Sequence, residues 1–197
     1  MNAIKHHYCQ SRRGPSSFWM QEPHLIFGEI KLKRGDSFLD LGCGVGDYSL
    51  EALKYVGKKG KIFSLDKNEK ALNLLKHETI IRRIENIHPL LEDVTAPLSL
   101  KENSVDACLT STVLHCMDLK TISTKVFPQV KKVLKDGAIL SIVECHKKRT
   151  NFGPPEGVRI SPEELEELAL PHGFTKTAYR DLGHNYLLQL AIKKDFS

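Results

Sequence analysis

Short apolar runs alternate along this chain with longer segments whose apolar positions recur at helical spacing. Ser37 to Leu41 reads as a short buried strand. It breaks into Gly42-Cys43-Gly44-Val45-Gly46, and Leu50, Leu53 and Val56 then recur as on one face of a helix. Gly57-Lys58-Lys59-Gly60 turns the chain into a second strand, Lys61 to Asp66. Ala71, Leu72, Leu75 and Ile80 predict a helix over 68–84, with Asn68 as its N-cap. Ile87 to Leu91 and Val105 to Leu109 read as strands three and four. A helix is expected from about Ile122 to Leu134, after which Asp136-Gly137 turns into strand five, Ala138 to Val143. Ser161-Pro162-Glu163-Glu164 joins a serine cap, an early proline and first-turn acids, which marks a helix start. That helix ends at Pro171-His172-Gly173. Phe174 to Asp181 and Tyr186 to Ile192 follow as two strands joined by a short turn.

Strand–helix alternation of this kind implies an α/β fold, a doubly wound sheet that is mostly parallel, with helices on both faces. The hairpin-like tail requires at least one antiparallel strand. Residues 1–35 fit the alternation less well. Gly14-Pro15-Ser16-Ser17 is a breaker, and a helix is expected over Pro23 to Ile30, preceded by Phe18 and Trp19. Two readings stand for this segment: packing against the sheet edge with Trp19 in the core, or a lid over a ligand. No repeat or linker interrupts the remainder, so the chain divides into an N-terminal segment, 1–35, and one domain, 36–197.

Composition narrows the function classes. The chain has 197 residues, 41% hydrophobic and 27% charged, as in ordinary globular proteins. No apolar run approaches the ~20 residues that span a bilayer, and no apolar segment follows the basic N-terminal residues His6, His7, Arg12 and Arg13. The net charge of +5 is scattered over Lys131, Lys132 and Lys135, Lys147 to Arg149, and Lys193 and Lys194, a pattern that reads mostly as solvated faces, leaves an anionic substrate open and slightly favours the RNA or protein alternative given below. The five cysteines, Cys9, Cys43, Cys108, Cys116 and Cys145, are odd in number and lack Cys-x-x-Cys spacing. That argues against a zinc ribbon or a disulfide framework and leads to the expectation of a reduced, cytoplasmic protein.

The glycine turn carries chemistry. A dinucleotide fingerprint places its third glycine at position 47, but Asp47 stands there and Gly46 comes one residue early. Asp40 sits just before the turn, where a carboxylate repels a pyrophosphate and suits an ammonium group. Acids recur at strand ends, Asp40, Asp66 and Asp93. Asp66 lies twenty residues after Gly46, at the spacing where an acid grips ribose hydroxyls. Ligands of open parallel sheets bind beyond the carboxyl ends of the strands, so these acids would share one crevice.

Phe38 to Gly46 resembles motif I of the class I S-adenosylmethionine (SAM) methyltransferases, and Ile62 to Asp66 resembles motif II. Leu91-Glu92-Asp93-Val94 is similar to the adenine-contacting segment, Ser104 to Leu109 to motif IV, and Val133 to Leu140 to the later motif that leads into strand five. The nearest subgroup is the small-molecule type similar to the quinone-biosynthesis and arsenite methyltransferases. The resemblance implies a Rossmann-like sheet of seven strands, the seventh antiparallel and inserted between strands five and six. It implies SAM as cofactor, held by Asp40, Gly42, Cys43, Gly44, Gly46, Asp66, Lys67, Asp93, Val94 and Ser111, with no metal. Asp40 would face the methionine ammonium, Asp66 the ribose and Asp93 the adenine amine.

Departures from the family pattern shape the substrate expectation. The Asp/Asn-Pro-Pro-Tyr motif of base and amide methyltransferases is replaced by Thr110-Ser111-Thr112-Val113, so a small-molecule acceptor is expected. Among the cysteines only Cys116 falls near the expected mouth, which disfavours arsenite. Where the acceptor arrives protonated, His115 after strand four and His146 after strand five are the candidate bases. Glu144 either orients substrate or caps its strand. A protein or RNA acceptor, or a SAM-binding module without catalysis, are the alternatives. Acceptor atom and oligomeric state stay open.

Overall fold

The first apolar run forms β1, Ser37–Leu41, the third strand from one edge of a seven-stranded sheet. A computed structural model describes residues 17–148 and 150–192. Cys9, the Gly14-Pro15-Ser16 breaker, Arg149, Lys193 and Lys194 lie outside the described residues. The other strands are β2, Lys61–Asp66, β3, Ile87–Leu91, β4, Val105–Ser111, β5, Leu134–Cys145, β6, Phe174–Asp181, and β7, Asn185–Ile192. Their order is β3-β2-β1-β4-β5-β7-β6. β1 to β5 run parallel, while β7 is antiparallel to both β5 and β6. This is the expected doubly wound arrangement with its C-terminal hairpin strand inserted.

Asp136-Gly137 does not separate helix from strand as expected. β5 begins at Leu134, and the pairing with β4 slips between Val105↔Leu134 and Ala107↔Ile139. The extra residues form a bulge with Gly137 at positive φ.

Two apolar layers flank the sheet. On the first face lie α1, Pro23–Ile30, α2, Asp47–Val56, and α3, Glu69–Ile81. Phe27, Tyr48, Ala52, Leu72 and Leu75 pack there on Phe38, Ile62, Leu109, Val143 and Leu187. On the second face a helical run ends in α4, Phe127–Val133, after a π-helical turn over Ile122–Val126, and α5, Pro162–Ala169, follows. Phe127, Val130 and Leu165 pack there on Leu39, Leu41, Leu65, Leu140, Ile142 and Tyr186. Each fully buried side chain of this size contributes roughly 1.5–3 kcal/mol.

Local signals match where backbone chemistry decides. Asn68 caps α3 by accepting from the Ala71 amide (3.3 Å). Ser161 and Glu164 form a reciprocal capping box at the start of α5. Periodicity was less faithful. α2 buries Val56 of the expected stripe fully and Leu50 and Leu53 partly, its buried face also takes in Tyr48, Ser49 and Ala52, and Ile80 is 74% exposed. Trp19 is 72% exposed, so it is not a core residue. Phe18 beside it packs edge-on against Tyr48 instead.

Candidate active site

The carboxyl ends of β1, β2 and β4 meet the glycine turn at one rim. Gly44 and Gly46, both at positive φ, serve different purposes. A Cβ on Gly46 would lie 2.5 Å from Leu75 Cδ1, so this glycine lets α3 close onto the turn. A Cβ on Gly44 would meet nothing within 4 Å, so this glycine borders open space at the rim. Most amides of the turn are engaged within the protein. Gly42 and Cys43 donate to the Leu65 carbonyl (2.7 and 2.9 Å), and Gly46 donates to the Cys43 carbonyl (2.9 Å). Gly44 N–H donates to Asp66 Oδ2 (2.8 Å). Gly42 is also closed off, since a Cβ there would strike Val113 Cγ2 at 2.4 Å.

The three acids separate by role. Asp66 Oδ1 accepts from the Asn68 amide (2.8 Å), so each oxygen holds one backbone N–H. A carboxylate has about four acceptor sites, which leaves capacity for a diol. Asp93 Oδ1 accepts from the Thr95 amide and hydroxyl (2.9 and 2.8 Å), and Oδ2 lies 3.8 Å from Lys67 Nζ. Burial works against its charge, but the Thr95 donors and the Lys67 ammonium hold its carboxyl below the usual range.

Asp40 departs from expectation. It is 2% exposed beneath α2, and its Oδ2 accepts from Ser49 Oγ (2.6 Å), which in turn accepts from Ser64 Oγ (2.7 Å). Burial, only partly offset by the Ser49 hydrogen bond, raises its pKa from 3.8 to about 7, with nearby Asp66 adding to the rise. Asp40 therefore lies under the turn instead of facing a ligand, and two acids, not three, stand at the rim. Cys43 is a buried thiol pushed upward by burial and by Asp40. Val94 packs against the second-face core, and Lys67 is exposed.

Beyond β4 two polar clusters flank the rim. On the second face, His115 Nδ1 lies 2.8 Å from Glu144 Oε2, while Glu144 Oε1 accepts from the amides of Leu114 and His115 (2.8 and 3.3 Å). Glu144 is 1% exposed. Sequence reasoning named both residues without pairing them, because 29 positions separate them. On the first face, the hydroxyls of Ser17 and Ser111 share a hydrogen bond (2.9 Å), and Ser111 also meets Tyr48 Oη (3.4 Å). Gln21 Nε2 donates to the Tyr48 hydroxyl, and Asn185 Nδ2 donates to Gln21 Oε1 (3.0 Å). No sequence signal marked Tyr48, Gln21 or Asn185, since their spacing follows no motif. The turn over Ser17–Met20 thus sits beside the Ser111–Tyr48 cluster.

His146, the other candidate base, is spent differently. Its Nε2 lies 3.2 Å from Asp181 Oδ1 and its ring leans on Tyr186. Its carbonyl accepts from Arg159 Nη1 (3.0 Å), whose other donors go to the carbonyls of Lys148, Phe152 and Pro154 and to Thr150 Oγ1. This buried guanidinium shapes the segment after β5. Cys116 is disulfide-bonded, which corrects the expectation of thiols alone, whereas Cys43, Cys108 and Cys145 are free and buried. Among the described residues no His/Cys/Asp/Glu group could hold a metal, and no helix is long and apolar enough to cross a membrane.

Comparison with known proteins accounts for this rim. Residues 32–182 match the family model described as a methyltransferase domain. The chain belongs to that family. This methyltransferase domain is 38% identical over 144 residues to the demethylmenaquinone methyltransferase of Lactobacillus johnsonii, covering 70% of the chain and 56% of that protein. It is 26% identical over 205 residues to the 2-phytyl-1,4-naphthoquinone methyltransferase of Trichormus variabilis, covering 87% and 88%. Matches to other curated relatives span as little as 26% and 35% of their length. A SAM-dependent methyltransferase from Aquifex aeolicus superposes with a TM-score of 0.79 at 25% identity, covering 91% and 94% of the two chains.

The cofactor of that family, SAM, fits the residues present. Gly44 offers a surface without a side chain, and Asp66 retains acceptor capacity beside it.

Proposed function

We propose that this chain is a SAM-dependent methyltransferase that alkylates a small-molecule acceptor over the ends of β4, β5 and β7. The observation that carries the reading is the pairing of Gly44 with Asp66, an open cradle next to a carboxylate with spare acceptor sites. Asp66 would hold the ribose diol and Asp93 Oδ2 the adenine amine. Gly42 and Cys43 would shape the turn, and Lys67, Val94 and Ser111 would border the pocket. Ionised, Asp40 favours a cation above it without touching it.

When bound, SAM supplies an activated sulfonium methyl. The chain's part is to position the acceptor and, where that acceptor arrives protonated, to take its proton. His115 serves as that base. With Nδ1–H donated to Glu144 Oε2, its lone pair is on Nε2. Glu144 fixes the ring and anchors the turn that carries it. His146, committed to Asp181, is the weaker candidate. The names of the quinone methyltransferases among the relatives support an apolar small molecule as acceptor. Absence of a Pro-Pro-Tyr motif after β4 supports no nucleic-acid substrate. A cytoplasmic setting belongs to this reading on the strength of the three free thiols, and the disulfide at Cys116 weighs against it.

Isothermal titration with SAM tests the cofactor assignment, and no binding at millimolar ligand removes it. Transfer of labelled methyl over a panel of phenols, quinols, amines and thiols tests the activity. Tight SAM binding with no transfer would favour a non-catalytic SAM-binding module.

A further inference from the structure

We propose that Asn185 is part of the acceptor site and that its side-chain carbonyl takes a hydrogen bond from a hydroxyl or amine of the methyl acceptor. The inference rests on the reading above and adds a chemical requirement to it. Asn185 opens β7 opposite Cys145 at the carboxyl rim. Strand alternation puts it on the first face, one row beyond the Val143↔Leu187 pair and on the same side as Ser111.

Its surroundings leave one group unsatisfied. Asn185 is 1% exposed and donates through Nδ2 to Gln21, but its Oδ1 is buried without a partner. The neighbouring groups in the cluster are engaged: Gln21 uses its oxygen and its nitrogen, Tyr48 meets Gln21 and Ser111, and Ser111 meets Ser17. Buried polar atoms are almost always paired in native proteins, so an orphan asks for an explanation. Among the described residues the buried side-chain atoms without partners are Thr110 Oγ1, His184 Nε2 and Asn185 Oδ1. All lie at one end of the sheet, in the last turn of pleat of β4, in the β6–β7 turn and at the start of β7. Thr110 stands on the second face and His184 stacks on Phe152, so of the three it is Asn185 Oδ1 that belongs to the Ser111–Tyr48–Gln21 cluster. An amide oxygen can only accept, so the ligand group that completes Asn185 carries an O–H or N–H. Gln21 covers Asn185 from the Ser17–Gln21 segment, so that segment gives way as the acceptor enters.

The experiment uses the full chain saturated with S-adenosylhomocysteine, its saturation first established by isothermal titration. Phenol and anisole, which share the aryl ring and its oxygen but differ in the hydroxyl donor, are then titrated while the Asn185 side-chain amide resonances are followed by NMR. Phenol is expected to bind about tenfold more tightly than anisole and to shift those resonances, the discrimination typical of one buried polar group left paired or unpaired. Asn185→Leu should erase the preference. Asn185→Asp, which keeps an acceptor oxygen, should retain it. Phenol binding no tighter than anisole, absence of binding by both included, overturns the inference, as does a preference that survives in the Leu variant. The wild-type comparison stands even where a variant fails to fold. If S-adenosylhomocysteine does not bind, the functional reading falls and takes the inference with it; if it binds and the probes do not differ, only the inference falls.

Discussion

Asp40→Asn isolates a buried charge beneath the glycine turn. In the unfolded chain the carboxyl ionises near 3.8, but in the fold it does so at about 7. Between those values the native state holds one proton more than the unfolded chain, so wild-type stability falls as pH rises from about 4 to about 7 and then levels off. Each pH unit in that window costs about 1.4 kcal/mol. Asparagine does not titrate and keeps an oxygen for the Ser49 hydroxyl. The difference in stability between variant and wild type should therefore move in the variant's favour by about 3 kcal/mol between pH 5 and pH 8. Any cost of the new amide N–H₂ is the same at both pH values and drops out of this comparison. For a chain of this size the change corresponds to roughly 5–11 °C in relative melting temperature. Urea unfolding or calorimetry at the two pH values measures it. A difference that is constant with pH would mean that Asp40 is already ionised at pH 5, and the account of its burial would be wrong.

Asp66→Ala should weaken SAM by more than about 100-fold by isothermal titration, since two hydroxyl donors would lose a charged acceptor worth roughly 1.5–3 kcal/mol each. Gly46→Ala should cost roughly 2–4 kcal/mol of stability, because its Cβ meets Leu75 at 2.5 Å on a positive-φ residue. Gly44→Ala should cost only about 1–2 kcal/mol in denaturant but weaken SAM more than tenfold, the reverse ordering of effects. Glu144→Gln should lower kcat far more than SAM affinity and alter the pH profile of transfer, whereas an unchanged profile would reduce Glu144 to an anchor for the Leu114–His115 turn. Ser161→Ala should cost about 1 kcal/mol, read as a fall of a few degrees in melting temperature, through loss of the capping box on α5.

Chain-local signals carried the fold a long way. Strand runs, the glycine turn, the Asn68 and Ser161 caps and the antiparallel tail are encoded within a few residues of where they act. What the sequence concealed is set by distance along the chain. The partnership of His115 with Glu144, and of Gln21 with Tyr48 and Asn185, depends on which strands lie side by side, and no spacing rule reaches across 29 or 164 positions. The buried face of α2 is wider than the Leu50, Leu53 and Val56 stripe because Tyr48 and Ser49 also face the sheet, the serine held by its hydrogen bond to the Asp40 carboxyl. Asp40 itself was read as facing a ligand because sequence shows that an acid precedes the turn but not on which side of the sheet its side chain stands.

Arg159 has a consequence for how the segment after β5 tolerates change. Its guanidinium grips the chain after β5 almost wholly through main-chain oxygens, those of His146, Lys148, Phe152 and Pro154. Main-chain oxygens survive mutation. Exposed side chains on that stretch, such as those of Lys148 and Asn151, can change bulk, polarity or charge while one cation holds the path of the backbone.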